Sequence, residues 1–287
     1  TVIRCTLGTL ASGTYTWVGF PKHPKAVAVR SIQAYVQCLK RAQSVLDHAA
    51  RRAWIAQAVE QAAKRLHGQT APEMVSHGLL DEVTHLVEQP TVLVGAFERK
   101  YLDLPREVLL ASMAKYQRVF AVQSATGPLL PSFVAVLEGR PRKPAAVRGV
   151  IERILNARLA DSLLFWSEDL KRPLERMAHA LSGVTFHERL GSMADKTVRL
   201  RALGEVLADV WHLSEEERSH LRKACQLAKA DLVSTMVKEF PTLQGVMGKC
   251  YALNAGDASP IAVAIEEHYL PSGERLPNTI VGSALAI

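Results

Sequence analysis

Apolar residues recur at three- and four-residue intervals through most of this chain and at two-residue intervals in a few short stretches. That contrast separates predicted helices from predicted strands. Residues 26–67 follow the helical rule. In their second part Leu46, Ala49, Ala53, Ala56, Val59, Ala63 and Leu66 line one predicted buried face, while Arg52, Gln57, Glu60, Gln61 and Lys64 fall elsewhere. "HGQTAP" (67–72) closes this segment, and "LLDEVTHLVE" (79–88) predicts a short helix. Period-two or β-rich runs predict strands at "TYTWVGF" (14–20), "PTVLVGAF" (90–97), "RVFAVQ" (118–123) and "SFVAVLEG" (132–139). "PREVLLASMAKY" (105–116) has helical spacing with Pro in its first turn, where Pro is favoured. "SATGPLLP" (124–131) supplies turn residues. Together these predict a small α/β unit of three or more strands with one crossover helix.

"GRPRKPAAVRG" (139–149) is basic and Pro-rich and reads as a linker. Beyond it nearly everything is helical: residues 151–170, 173–181, 196–213, 214–240 and 259–270. Ser214 followed by Glu217 is a capping-box signature that fixes one helix start. The predicted fold class is therefore α+β, mostly helical. A helical and α/β region over residues 1–144 precedes an all-helical domain over 145–287.

Composition adds little to this and excludes several classes. The 287 residues suffice for one large domain or two smaller ones. Hydrophobic residues make up 48% and aromatics only 6%, a balance that leans towards helix. Lys and Arg number 35 against 28 Asp and Glu, a net +7 that suits a polyanionic partner. Cys5, Cys38, Cys225 and Cys250 form no CxxC, so a reducing cytoplasm is expected. No apolar run reaches the ~18 residues of a membrane span, and no leader pattern is present, so no membrane partner is expected. The chain begins with Thr, as a fragment of a longer protein would.

Phosphate-loop and zinc-peptidase motifs are absent. "QGVMGKC" (244–250) has only two residues between Gly245 and Gly248, where a phosphate loop needs four, so a surface turn is expected. "FHERLG" (186–191) has no second His at the spacing that HExxH needs. One class of all-helical phosphohydrolases binds metal through a His-Asp pair. The apolar stretch "LAKADLVSTMVKEFPTLQG" (227–245) reads as a helix of that kind followed by a turn, but Ala230 precedes Asp231 where that pair would stand. Ligands must converge within about 2–2.5 Å of an ion, and alanine offers no lone pair. Asp231 is expected to be a packing or capping carboxylate paired with a nearby base, a poor metal site by itself. Single histidines such as His85, His179, His212 and His220 read as surface or hydrogen-bonded helix residues.

Basic residues interleaved with aromatics are what an RNA backbone with stacked bases requires. Candidates for RNA contact are Arg99, Lys100, Lys115, Tyr116, Arg118, Lys171, Arg172, Lys196 and Arg199. Three functions stay open on the residues alone: RNA recognition, a metal-dependent phosphohydrolase, and a protein-interaction scaffold.

Several long blocks occur in a characteristic order: "LLDEVTHLVEQPTVLVGAFERKYLDLPREVLLASMAKYQRVFAV", "LLPSFVAV", "ARLADSLLFWSEDLKRPLE", "LGSMADKTVRLRAL", "LAKADLVSTMVKEFPTLQGVMGKCYAL" and "AIEEHYLP". Over residues 70–287 the chain resembles the β subunit of bacterial glycyl-tRNA synthetase, and residues 1–69 match in position and texture. The resemblance implies a middle fragment of a subunit that recognises glycine tRNA and works with an α subunit, as two α and two β chains or as one fused chain. ATP and magnesium are expected at the α subunit and no cofactor in this fragment. It also implies that residues 145–287 form a domain similar to His-Asp (HD) phosphohydrolases but without their metal ligands. "RGVIERIL" (148–155) departs from a Gly-Asn-Glu that the family usually carries near this helix.

Overall fold

The computed structural model describes residues 5–19, 24–76, 78–273 and 275–287. It divides into two compact units, residues 1–99 with 113–156, and residues 100–112 with 157–287.

The first unit opens with a two-stranded pair, β1 (Thr6–Leu7) and β2 (Leu10–Ala11), and a hairpin of β3 (Tyr15–Val18) and β4 (Lys25–Ala28). Phe20 of the predicted strand lies outside the described residues. Residues 26–28 are strand and not helix as expected, because they pair with β3 from Tyr15↔Ala28 to Val18↔Lys25. Helix α1 (Ile32–Arg41) then starts at Ser31, whose hydroxyl accepts from Ala34 N at 3.1 Å. The predicted long helix is broken again before α2 (His48–Arg65), where Asp47 caps through Ala49 N and Ala50 N. The buried face of α2 is Ile55, Val59, Ala62 and Ala63. Val59 and Ala63 fall where expected. Leu46, Ala49 and Ala53 are exposed, because Leu46 precedes the cap and the first turns carry their apolar positions into solvent.

After β5 (Gly68–Thr70), α3 (Pro72–Ser76) and α4 (Leu79–Leu86) come the sheet strand β6 (Pro90–Ala96) and α5 (Arg106–Ser112), the latter counted with the second unit. A π-helical turn (Met113–Gln117), β7 (Val119–Ser124) and β8 (Leu129–Glu138) follow. The sheet order is β5-β7-β8-β6, every neighbour antiparallel. Strands β6 and β7 both run against β8, so α5 joins two parallel strands, the expected crossover. β7 and β8 occupy the centre, and residues 119–123 of β7 are all buried, which explains its unbroken apolar run. Gly95 lies against Phe133, where a Cβ would come within 2.3 Å of the ring.

Helix α6 (Pro144–Leu170) begins inside the segment expected to be a linker, which shrinks to residues 139–143. Up to Asn156 it belongs to the first unit, where Glu152 and Asn156 side chains accept from Ala96 N and Glu98 N at 2.9 Å each.

The second unit is helical, with α7 (Leu174–Ala180), the short pair β9 (Thr185–His187) and β10 (Gly191–Ser192), α8 (Met193–Val210), α9 (Glu215–Leu227), α10 (Thr235–Glu239), α11 (Val246–Asn254), α12 (Ser259–Glu267) and α13 (Ile280–Ala286). Helices α9 and α12 pack on most of the others. The capping box of Ser214 and Glu217 forms as expected, and Ser192 with Asp195 makes a second one at the start of α8. Residues 214–240 are not one helix. Lys229 takes φ +69°, residues 230–233 form a 3₁₀ turn, and Ser234 caps a new helix through Val237 N at 3.0 Å. Among the described residues no helix is long and apolar enough to cross a membrane.

Candidate nucleic-acid interface

The break after α9 decides what Asp231 can do. Its side chain is fully buried, and Oδ2 accepts from Gly245 N at 2.6 Å and Gly248 N at 3.1 Å. Asp231 therefore caps α11, as expected of a capping carboxylate. Among the described residues the expected ion pair with a base is absent, and Lys229 acts on Asp231 through its field alone. Burial outweighs the two backbone donors and Lys229 and raises the pKa of Asp231. Residues 244–250 are not a surface turn, because Gly248 is buried in α11 and Gly245 starts it. Gly245 has φ +78°, and a Cβ there would come within 2.5 Å of the Tyr269 ring. Among the described residues no three His, Cys, Asp or Glu side chains come together as a metal-binding group.

Asp169, at the end of α6, is a second buried carboxylate. It accepts from Thr235 N and Met236 N at 2.9 Å each, from the Tyr251 hydroxyl at 2.8 Å, and from Arg172 at 2.8 Å. Burial works to raise its pKa, but these four donors prevail and lower it. Trp166 stacks on Tyr251 with centroids 5.2 Å apart.

The candidate RNA contacts separate by what holds them. Arg172 is tied to Asp169, Lys171 pairs with Glu168 at 2.5 Å, and Arg118 pairs with Glu82. Arg118 also takes φ +48° at the end of the π-helical turn, and Lys115 on that turn lies 4.9 Å from the centroid of Tyr116. Arg99 and Lys100 are exposed on a 3₁₀ turn (Arg99–Asp103), with Lys100 Nζ 4.9 Å from the Tyr101 centroid.

Lys196 and Arg199 are brought together. The Ser192 capping box sets them one turn apart on α8, so both reach the same side. Lys196 Nζ stands 4.3 Å from the centroid of Phe186, and the Arg199 guanidinium 6.0 Å from it while donating to Leu190 O at 3.0 Å. Lys229 joins this group, a residue that no sequence signal singled out. Its Nζ sits 3.7 Å from the Tyr269 centroid. Burial, then repulsion from Lys196, lowers its pKa to about 8. His268 beside Tyr269 is pushed down to about 3, first by burial and next by Lys229, and so stays neutral. Three cations with two aromatic rings are a local positive field with stacking surfaces, suited to a phosphate-bearing partner.

Comparison with known proteins agrees with the order of blocks in the sequence. The family model described as "Glycyl-tRNA synthetase beta subunit" matches residues 1–287. The chain is 40% identical over 272 residues to the glycine--tRNA ligase beta subunit of Trichodesmium erythraeum, covering 92% of this chain and 37% of that protein. It is 41% identical over 280 residues to the subunit of the same name from Syntrophomonas wolfei, covering 97% and 40%. With that of Desulforamulus reducens it shares 39% over 288 residues, covering 100% and 41%. The chain thus spans about two fifths of the length of these curated relatives. A match over every residue, with this level of identity in several bacteria, shows that the chain belongs to the glycyl-tRNA synthetase beta subunit family.

Proposed function

We propose that this chain recognises and positions glycine tRNA for glycylation by a glycyl-tRNA synthetase α subunit. In this reading it makes and breaks no bonds. ATP and magnesium act at the α subunit, and the two subunits work in the cytoplasm as two α and two β chains or as one fused chain. The division at residues 144/145 belongs to the same reading, as does an HD-like helical domain whose metal function is lost. The buried Asp231, spent on capping α11 next to Ala230, supports that loss.

The family match over the whole chain carries the proposal. The group of Lys196, Arg199 and Lys229 supports a place for the RNA backbone. Each neutralised phosphate releases counterions and adds to the salt dependence of binding. Replacing Lys196 and Arg199 together by Ala is expected to flatten the salt slope of glycine tRNA binding by about two units. Filter binding from low to near-physiological salt reads this. An unchanged slope would mean that the group serves the fold.

A further inference from the structure

We propose that the first unit carries a stacking surface for unpaired nucleotides, built on Tyr15 and Trp17 of β3 and on Trp54 in the cleft that begins at Gly19. The site rests on the reading above only in taking RNA as the polyanion.

Large aromatic side chains gain most from burial, so those left in solvent need a reason. In β3 the alternation of strand faces puts Tyr15 and Trp17 on one side, and their partners across the hairpin, Ala28 and Ala26, leave that side uncovered. Tyr15 is 67% exposed and Trp17 61%. Two residues of strand place their Cα atoms about 7 Å apart, room for each ring to take its own base.

The strand ends at a cleft. Gly19, one residue beyond β3, lines a hollow of about 610 Å³ together with Trp54, Gln43, Gln89, Glu138 and Arg140. This volume lies within the range of small-molecule pockets. Trp54 is 43% exposed there, on the first turns of α2 that carry apolar residues outward. Gln43 and Gln89 bring amide groups able to meet the edges of a base. Gln43 is held at φ +61°, a conformation that costs a non-glycine residue. Among the described residues Glu138 is the one carboxylate in the wall, and its Oε2 already accepts from Glu88 N at 2.7 Å and Gln89 N at 3.2 Å.

Charge selects the occupant. The first acidic residue of the whole chain is Asp47, and Lys25, Arg30, Lys40 and Arg41 precede it in β4, α1 and the link between them. An acid-free basic segment with exposed aromatics fits a polyanion that has free π-faces. Single-stranded RNA has these, whereas a duplex hides its bases in the stack.

The test uses the 287-residue chain, a 12-nucleotide RNA of mixed sequence, and the same strand as a duplex. Binding and tryptophan fluorescence are read at near-physiological salt. The single strand is expected to bind tighter than the duplex and to quench fluorescence. Trp17→Leu with Trp54→Leu should weaken single-strand binding about 10-fold or more. Both side chains are exposed, so the double variant should fold, and a far-ultraviolet spectrum checks it. Trp17→Phe should keep most of the affinity, because a ring remains. Equal or tighter binding of the duplex, or unchanged affinity in the double variant, would overturn the proposal. So would self-association of the chain that the double variant abolishes, since the face would then meet a second copy. Glycine tRNA binding that persists unchanged in the double variant defeats this site and leaves the proposed function standing. Stacking of the 12-mer without preference for glycine tRNA does the reverse.

Discussion

Asp169 and Asp231 use one local device and end in different states. Both are fully buried, and both take two backbone N–H groups at a helix start, α10 for Asp169 and α11 for Asp231. Asp169 adds Arg172 and the Tyr251 hydroxyl, and its pKa falls. Asp231 gains no such partner, its Oδ1 accepts no hydrogen bond, and its pKa rises. Asp231 is the more deeply desolvated of the two and has backbone donors only. Asp169 lies nearer solvent, beside the half-exposed Arg172, and has a guanidinium and a hydroxyl besides its backbone donors. Asp231 is thus the carboxylate with less need of its charge, which fits a capping role.

The largest effect should come from Asp169→Ala. It leaves the Tyr251 hydroxyl and two backbone donors unpaired, while the half-exposed Arg172 turns to solvent, and should cost about 2–4 kcal/mol by urea unfolding. A cost below about 1 kcal/mol would erase the contrast between the two sites. Gly245→Ala comes next. It places a Cβ against Tyr269 at a positive φ and should destabilise by about 1–3 kcal/mol, read the same way.

Asp231→Asn should be milder, about 1 kcal/mol or less near pH 4, because the amide oxygen can still accept from Gly245 N and Gly248 N. Its pH course sharpens the comparison. A raised folded pKa gives stability that is full below the ordinary value of 3.8 and is lost as pH rises through the folded value. The variant should therefore gain on the wild type as pH climbs from 4. Asp169 has a lowered pKa, so its contribution is present above 3.8 and lost as pH falls through the folded value. The deficit of Asp169→Asn should then shrink on acidification. Thermal melts from pH 3 to 7 check both signs, and parallel curves would contradict the assignment.

The smallest effect concerns Lys229. With its pKa lowered to about 8, it is charged at pH 7 and neutral at pH 9. The salt slope for RNA should fall by up to about one unit across that interval. Lys229→Met should remove the change, and a slope in the variant that still falls with pH would place the titrating group elsewhere.

What could be read beforehand follows from how local each signal is. Helices α7, α8, α9 and α12 and strands β6, β7 and β8 were visible because their apolar spacing lies within one segment. The capping box at Ser214 needs four residues and was equally visible. The breaks were hidden. Residues 25–28 become strand through pairing with β3, and α9 stops at a left-handed Lys229 that no propensity marks. Helix α11 was missed because its glycines were weighed as a motif, while its cap comes from Asp231, 14 and 17 residues back from the two donors. The family was legible from the order of long blocks. The candidate basic group was legible in part. Lys196 and Arg199 share one helix turn, but Lys229 and Tyr269 meet across 40 residues, and Arg118, Lys171 and Arg172 acquire carboxylate partners that only the fold reveals.

The most direct measurement is the affinity of this chain for glycine tRNA and for one unrelated tRNA, each across a salt series. The account predicts a preference for glycine tRNA that survives near-physiological salt. Weak binding, equal for both and vanishing with salt, would contradict it.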